Sequence, residues 1–195
     1  MLHDKLTVQI MLGGLSTRMG TDKALVTLGG KTLLERAISR WQGYGAALQL
    51  SVGAAERKSL APAGVPAVAD IYPERGPIGG LHAGLHDTSA ELVLLVAVDS
   101  PYLTQSHADR LLEAIGEADA CVYTVEGRPQ PLFGLYRRSC MTPAETLILR
   151  GDNRMTDLLG WVNTVVVPAE SAAPFRNLNT PEDLAAAERE ARSLV

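Results

Sequence analysis

The sequence predicts an α/β protein with a Rossmann-like, mostly parallel central sheet and helices on both faces. Three observations predict it. Apolar, β-branched runs alternate with segments of helical periodicity along most of the chain. The most apolar run, residues 92–98 (LVLLVAV), shows no alternation and reads as a central strand covered on both faces. Gly13, Asp70 and Asp99 each follow a predicted strand, where an open parallel sheet collects its ligands.

The elements can be justified in order. Residues 6–12 (LTVQIML) form a buried strand that ends abruptly in Gly13 and Gly14, the start of the loop GGLSTRMGTDK. Thr27 and Leu28 end a short strand, Gly29 and Gly30 make a tight turn, and Lys31 begins a helix. Leu33, Leu34, Ala37, Ile38 and Trp41 recur at helical spacing, until Gly43 and Gly45 stop the helix. A second strand at 48–52, a short helix and a strand at 65–68 follow, and 70–85 reads as a loop entering a helix near Gly79.

After the central strand, Ala108, Leu111, Leu112 and Ile115 mark another amphipathic helix, and 120–125 another strand. A turn at Gly127-Arg128-Pro129 sends the chain into 132–136, inviting an antiparallel pairing within a mixed sheet. Helical segments are expected over 143–149 and 155–159, and a strand over 161–167. Thr180 caps the last helix, with Pro181, Glu182 and Asp183 in its first turn. Asn177 and Asn179 place both amides on one face if that segment is extended.

Several function classes fit poorly. A chain of 195 residues accommodates one substantial core, so residues 1–195 are expected to form a single domain. A net charge of −4 and 5% aromatics argue against a nucleic-acid surface. Cys121 and Cys140 are too few for a zinc ribbon or a disulfide framework, so a reducing compartment is the simpler choice. Neither a basic-then-apolar leader nor an apolar stretch of membrane length is seen, and the expected location is cytoplasmic, away from membranes.

The loop at 13–23 carries the chemistry. Glycines let backbone amides converge on phosphate oxygens, and Arg18 and Lys23 supply cationic arms; the alternative is a glycine turn with solvated charges. The dinucleotide spacing fails because the glycine after Gly14 is Gly20. The Walker spacing fails because Leu25 stands where its first glycine belongs ahead of Gly30-Lys31-Thr32. Arg18 also sits where a nucleophile elbow around Ser16 needs glycine. Asp99, at the rim of the apolar strand, is placed either to hold a divalent cation or to cap a helix before Ser100-Pro101. Asp70 follows a predicted strand and, taken by itself, reads equally well as a turn residue. His82 and His86, four apart, lack a third ligand and the glutamate of a zinc-protease helix, and read as a helix face near the cleft.

The stretch Met11-Leu12-Gly13-Gly14-Leu15-Ser16-Thr17-Arg18-Met19-Gly20-Thr21-Asp22-Lys23-Ala24-Leu25 resembles the nucleotidyltransferase loop of the molybdenum cofactor guanylyltransferases, with Met11 and Leu12 standing where that family has Leu and Ala. Three further motifs are similar: Gly76-Pro77-Ile78-Gly79-Gly80, Asp99-Ser100-Pro101-Tyr102-Leu103, and the run from Asn177 to Leu184 that begins Asn177-Leu178-Asn179-Thr180-Pro181.

The resemblance implies a nucleotidyltransferase fold of the glycosyltransferase-A-like type. It implies nucleotide binding by Met11, Leu12, Gly13, Lys23, Asp70, Gly80 and Asp99, with Mg²⁺ on Asp99 and catalysis by Lys23, Arg18 and Asp99. It puts Asn177 and Asn179 on the pterin or phosphate side of the cleft. Its implied reaction moves GMP from GTP to Mo-molybdopterin and releases pyrophosphate, with molybdoenzymes or their chaperones as recipients. Within the resemblance, Gly13-Gly14 favours guanine. A cytidylyltransferase on molybdopterin or another phosphorylated acceptor, and a non-catalytic nucleotide-binding cofactor chaperone, stay open as alternatives.

Overall fold

The computed structural model describes residues 2–13 and 22–192. Its strands are β1 (Leu6–Met11), β2 (Thr27–Leu28), β3 (Lys31–Thr32), β4 (Ala47–Gly53), β5 (Ala67–Ala69), β6 (Leu92–Ala97), β7 (Ala120–Val125), β8 (Arg128–Arg137) and β9 (Thr164–Pro168). Its helices are α1 (Leu33–Trp41), α2 (Pro77–Asp87), α3 (Gln105–Ala114), α4 (Met141–Arg150), α5 (Met155–Trp161) and α6 (Pro181–Arg192).

Seven strands form one sheet in the order β5-β4-β1-β6-β8-β7-β9. β5, β4, β1 and β6 are parallel neighbours, β8 runs antiparallel to both β6 and β7, and β9 returns parallel to β7. This is the mostly parallel, mixed sheet that the alternation of elements implied. β1 lies between β4 and β6, with Ile10 opposite Leu50 on one side and Val96 on the other.

β6 shows why an unbroken apolar run belongs at the centre. Leu92, Leu94 and Val96 pack into one core cluster with Val8, Ile10 and Trp41, while Val93 and Leu95 pack into the other with Ile78, Leu81 and Leu147. Alternate side chains therefore enter opposite layers, and a polar residue at any of these positions would lose its water.

β1 behaves differently because its two faces meet different helices. Leu6, Val8 and Ile10 enter the first cluster, but Thr7 and Gln9 turn to the α2 side and are fully buried. Thr7 pairs with Thr88 at 2.7 Å. Gln9 Nε2 donates to the Gly80 carbonyl at 2.7 Å, and Gln49 Nε2 donates to Gln9 Oε1 at 2.8 Å. α2 comes this close because it lacks side chains there: a Cβ on Gly84 would fall 1.4 Å from Gln9 Oε1, and one on Gly80 2.6 Å from both Met11 Cε and Ser51 Oγ.

Local signals set most boundaries. Thr32 and Glu35 form a reciprocal cap at the start of α1, with the Glu35 amide donating to Thr32 Oγ1 at 3.1 Å and the Thr32 amide to Glu35 Oε2 at 2.7 Å. Lys31 therefore belongs to β3, paired with Leu28, and α1 begins two residues later than expected. The β7–β8 turn uses Glu126 and Gly127, both at positive φ (50° and 76°), the backbone of a two-residue hairpin loop. Arg128 and Pro129 consequently lie inside β8. Trp161 ends α5 instead of opening a strand, which starts at Thr164.

The buried amide pair gives a testable consequence. Gly84→Ala should displace Gln9 and leave the Gly80 carbonyl without its partner, lowering stability by about 1–3 kcal/mol. Urea unfolding followed by circular dichroism checks this through a lower midpoint at unchanged slope.

Candidate active site

Three strand ends meet at the carboxyl edge of the sheet. The Val98 amide donates to the Met11 carbonyl and the Leu12 amide to the Ser51 carbonyl, each at 3.0 Å, so the exits of β6, β1 and β4 are tied together. Asp99 follows this junction on one side, and Ser51 and Gly53 flank it on the other.

Lys23 stands in a short 3₁₀ turn, Lys23–Leu25, that Asp22 caps by accepting the Ala24 amide at 3.0 Å. Ala24 is fully buried and anchors the turn. From there Lys23 Nζ donates to Asp99 Oδ2 at 2.7 Å and to Asn179 Oδ1 at 2.6 Å. The Lys23 and Asp99 side chains are 18% and 14% exposed, shielded enough to interact strongly and open enough to exchange partners. The segment bearing Asn177 and Asn179 is held against the same edge: the Leu178 amide donates to the Asp99 carbonyl at 2.9 Å, and Ser100 Oγ donates to Asn177 Oδ1 at 2.8 Å. Both asparagines thus reach the Asp99 side.

Beside this cluster opens a cleft of about 760 Å³, lined among others by Met11, Gly13, Ser51, Arg57, Asp70 and Pro77. Such a volume suits a nucleotide-sized ligand. Gly76, at φ 63°, turns the chain so that Pro77 opens α2 at the cleft wall, and the helix presents its amide end there.

Asp70 is held at the cleft by its amide, which donates to the Gly53 carbonyl at 2.7 Å. Its Oδ1 is buried and has no hydrogen-bond partner among the described residues, and burial raises the carboxyl pKa above 3.8. A shielded carboxylate oxygen on a cleft wall, without a partner among the described residues, makes Asp70 a candidate ligand contact.

The other expected site residues differ in how they stand to the cleft. Met11 and Gly13 line the cleft. Leu12 is fully buried in the core, so any contact it makes with a nucleotide runs through its backbone, and its bulk does not narrow the cleft. Gly80 is buried beneath Met11 and Ser51 and serves by its lack of a side chain. Arg18 lies outside the described residues.

His82 is buried against Tyr72, with ring centroids 5.3 Å apart, and burial lowers its pKa. His86 is exposed. Among the described residues no group of three His, Cys, Asp or Glu side chains is placed to hold a metal ion.

Magnesium asks for less than such a group, being bound by one or two carboxylates together with phosphate oxygens and water. The Asp99 carboxylate, beside the amide oxygens of Asn177 and Asn179, fits that hard-oxygen donor set for an ion arriving with a triphosphate. Sequence reasoning missed Arg57, whose guanidinium Nη2 meets Asp22 Oδ2 at 2.6 Å at the far end of the glycine loop. It lies in a polar segment with no motif, and its role becomes visible only when the chain brings 57 beside 22.

The profile of the MobA-like NTP transferase domain matches residues 8–166. The chain belongs to the MobA-like NTP transferase family. Members named molybdenum cofactor guanylyltransferase in Vibrio atlanticus and Yersinia pestis are each 32% identical to it, over 90% and 93% of this chain and 91% and 94% of their own. The crystal structure of molybdopterin-guanine dinucleotide biosynthesis protein A from Archaeoglobus fulgidus superposes with a TM-score of 0.84 at 26% identity, covering 96% of this chain and 99% of that one. Members of the family are nucleotidyltransferases, and in this chain Lys23, Asp99 and Asn179 come together at the carboxyl edge of the sheet.

Asp70 yields a pH-dependent prediction. Its folded pKa lies above the unfolded value of 3.8, so its contribution to stability is full below pH 3.8 and is lost as pH rises through the folded value. Asp70→Asn should therefore raise the thermal midpoint at neutral pH and leave it nearly unchanged at about pH 3, as scanning calorimetry across pH would show.

Proposed function

We propose that the chain is a molybdenum cofactor guanylyltransferase, moving GMP from GTP to the terminal phosphate of Mo-molybdopterin and releasing pyrophosphate. The observation that carries this reading is the Lys23 ammonium bridging Asp99 and Asn179, residues 76 and 156 positions away, beside a nucleotide-sized cleft. The substrates come from the relatives' names, and the phosphate chemistry from the residues.

An oxygen of the acceptor phosphate, already anionic at neutral pH, forms the new bond to the α-phosphorus of GTP, and the bond from that phosphorus to the β-bridging oxygen breaks. No protein base is needed. The tasks left to the chain are alignment and neutralisation of charge. The cleft beside Met11, Ser51 and Asp70 takes the nucleoside, with Gly13 at the turn towards the phosphates. Lys23, released from Asp99, turns to the phosphate oxygens and stabilises the departing pyrophosphate, joined by Arg18. Asn177 and Asn179 bind the acceptor side. When bound, Mg²⁺ on Asp99 supplies positive charge against the phosphate oxygens.

The reading treats residues 1–195 as one nucleotidyltransferase domain, since both core clusters share β6 and its sheet. It places the protein in the cytoplasm, with hand-over to molybdoenzymes or their chaperones and with no nucleic-acid or membrane role. Two free, buried cysteines support a reducing setting, and no helix among the described residues is long and apolar enough to cross a membrane.

Incubating the protein with Mg²⁺, Mo-molybdopterin and either GTP or CTP, then identifying products by mass, tests the assignment. The GMP adduct and pyrophosphate are expected; equal turnover with CTP would shift it to a cytidylyltransferase, and no turnover with either nucleotide would favour a binding role. In the same assay Lys23→Ala should lower kcat by about 10²- to 10³-fold while the circular dichroism spectrum is unchanged. Asp99→Asn should weaken the Mg²⁺ dependence of turnover, and a titration superimposable on wild type would remove Asp99 from the site.

A further inference from the structure

Arg57 carries more hydrogen bonds than its place in an unremarkable 3₁₀ segment, Ala55–Leu60, would suggest. Its Nε and Nη2 donate to Asp22 Oδ2 at 3.2 and 2.6 Å, and its Nη1 donates to the carbonyls of Val52, at 2.7 Å, and Gly13. The Arg57 and Asp22 side chains are 16% and 11% exposed. Gly13 and Asp22 bound the glycine loop at its two ends. One guanidinium therefore joins the exit of β1, the re-entry of the chain before Lys23, and the end of β4.

We propose that Arg57 is a positioning residue that staples the two ends of the glycine loop, fixing Lys23 and the loop entrance before a triphosphate arrives. The planar guanidinium fork suits the task, because it offers donors in several fixed directions at once. These donors are already committed to the protein, so Arg57 lines the cleft without being free to grip a phosphate. Its hold on Asp22 passes directly to Lys23. Asp22 Oδ1 caps the turn through the Ala24 amide while Oδ2 takes the guanidinium, and Lys23 is the next residue. Fixing loop ends in advance removes ordering entropy that binding would otherwise have to supply.

The proposal rests on the reading that the cleft takes a nucleoside triphosphate, and its test separates the two. GTP titration calorimetry on nucleotide-free protein gives one readout, steady-state kinetics a second, and amide exchange at Ala24 and Leu25 a third. Arg57→Ala should weaken GTP binding by about 10- to 100-fold, raise KM for GTP with a much smaller change in kcat, and speed exchange at both amides. Arg57→Lys should recover little of this, since one ammonium cannot span Asp22 and two carbonyls.

Asp22→Asn, which keeps both carbonyl bonds, should give a smaller effect in the same direction and serves if Arg57→Ala does not fold. Combining the two should be no worse than Arg57→Ala alone, because the pair acts as a unit. Wild-type affinity and exchange in Arg57→Ala would overturn the staple, as would strictly additive effects. A loss of kcat at unchanged KM would also overturn it by placing Arg57 on the reacting phosphates. Wild-type protein that binds no GTP would overturn the triphosphate reading instead, with amide exchange still deciding the staple.

Discussion

The contact on which the site depends is the ion pair between Lys23 and Asp99, 2.7 Å apart at the carboxyl edge of the sheet. Either charge alone, at this degree of shielding, would lose hydration without compensation. Together they neutralise each other and hold the turn after the glycine loop against the exit of β6. Under the proposed function, an arriving triphosphate and its cation would exchange partners here, with phosphate oxygens taking the ammonium and the Asp99 carboxylate free to hold the cation. Such an exchange swaps one shielded pairing for another, so the desolvation has been met in folding rather than during the reaction. The Asn179 amide oxygen accepts from the same ammonium at 2.6 Å, which ties the 177–179 segment to the pair.

The scaffold that sets this pair in place is asymmetric about β1. One face is conventional aliphatic packing, whereas the other has Gln9 and Gln49 hydrogen-bonded to the carbonyls of Gly80 and Gly84. An amide bonded to a helix backbone fixes that helix in translation and rotation, which methyl groups sliding past one another do less well. α2 is thereby held so that Gly76 and Pro77 reach the cleft wall. Asp70 is left half-buried, its Oδ1 shielded and without a partner among the described residues, a local loss of stability at a position suited to a ligand.

Much of this was legible in the sequence, for identifiable reasons. The run at 92–98 could only be a central strand, and Thr180-Pro181 at the start of α6 carries its boundary in its chemistry. The motifs led to Lys23, Asp99 and Asn179, which the fold brings into one cluster. Signals failed where they were ambiguous or non-local. Lys31 before Thr32 looked helical because the cap and the strand end overlap by a single residue. Trp161 looked like a strand residue because an apolar aromatic suits either state, and tertiary packing decides. The inward direction of Leu12 and the role of Arg57 depend on which residues lie opposite, information that no local pattern contains.

The division of the site has a consequence for specificity. A solved CMP:2-keto-3-deoxy-manno-octonic acid synthetase complexed with CTP shares the architecture at 14% identity and a TM-score of 0.76. Likeness of fold at that level says nothing about which base is chosen. In this chain the charged cluster is built by the exit of β6, the turn at Lys23 and the 177–179 segment, whereas the cleft is lined from the ends of β1 and β4, the 54–57 segment, Asp70 and the start of α2. Under the proposed function, substitutions at Ser51 or Met11 would therefore change the fit of a base without disturbing the Lys23–Asp99 ion pair. Gly80 couples to the same two residues: a β-carbon there would meet the ends of the Met11 and Ser51 side chains at 2.6 Å, so a larger residue at 80 would push both towards the cleft from below.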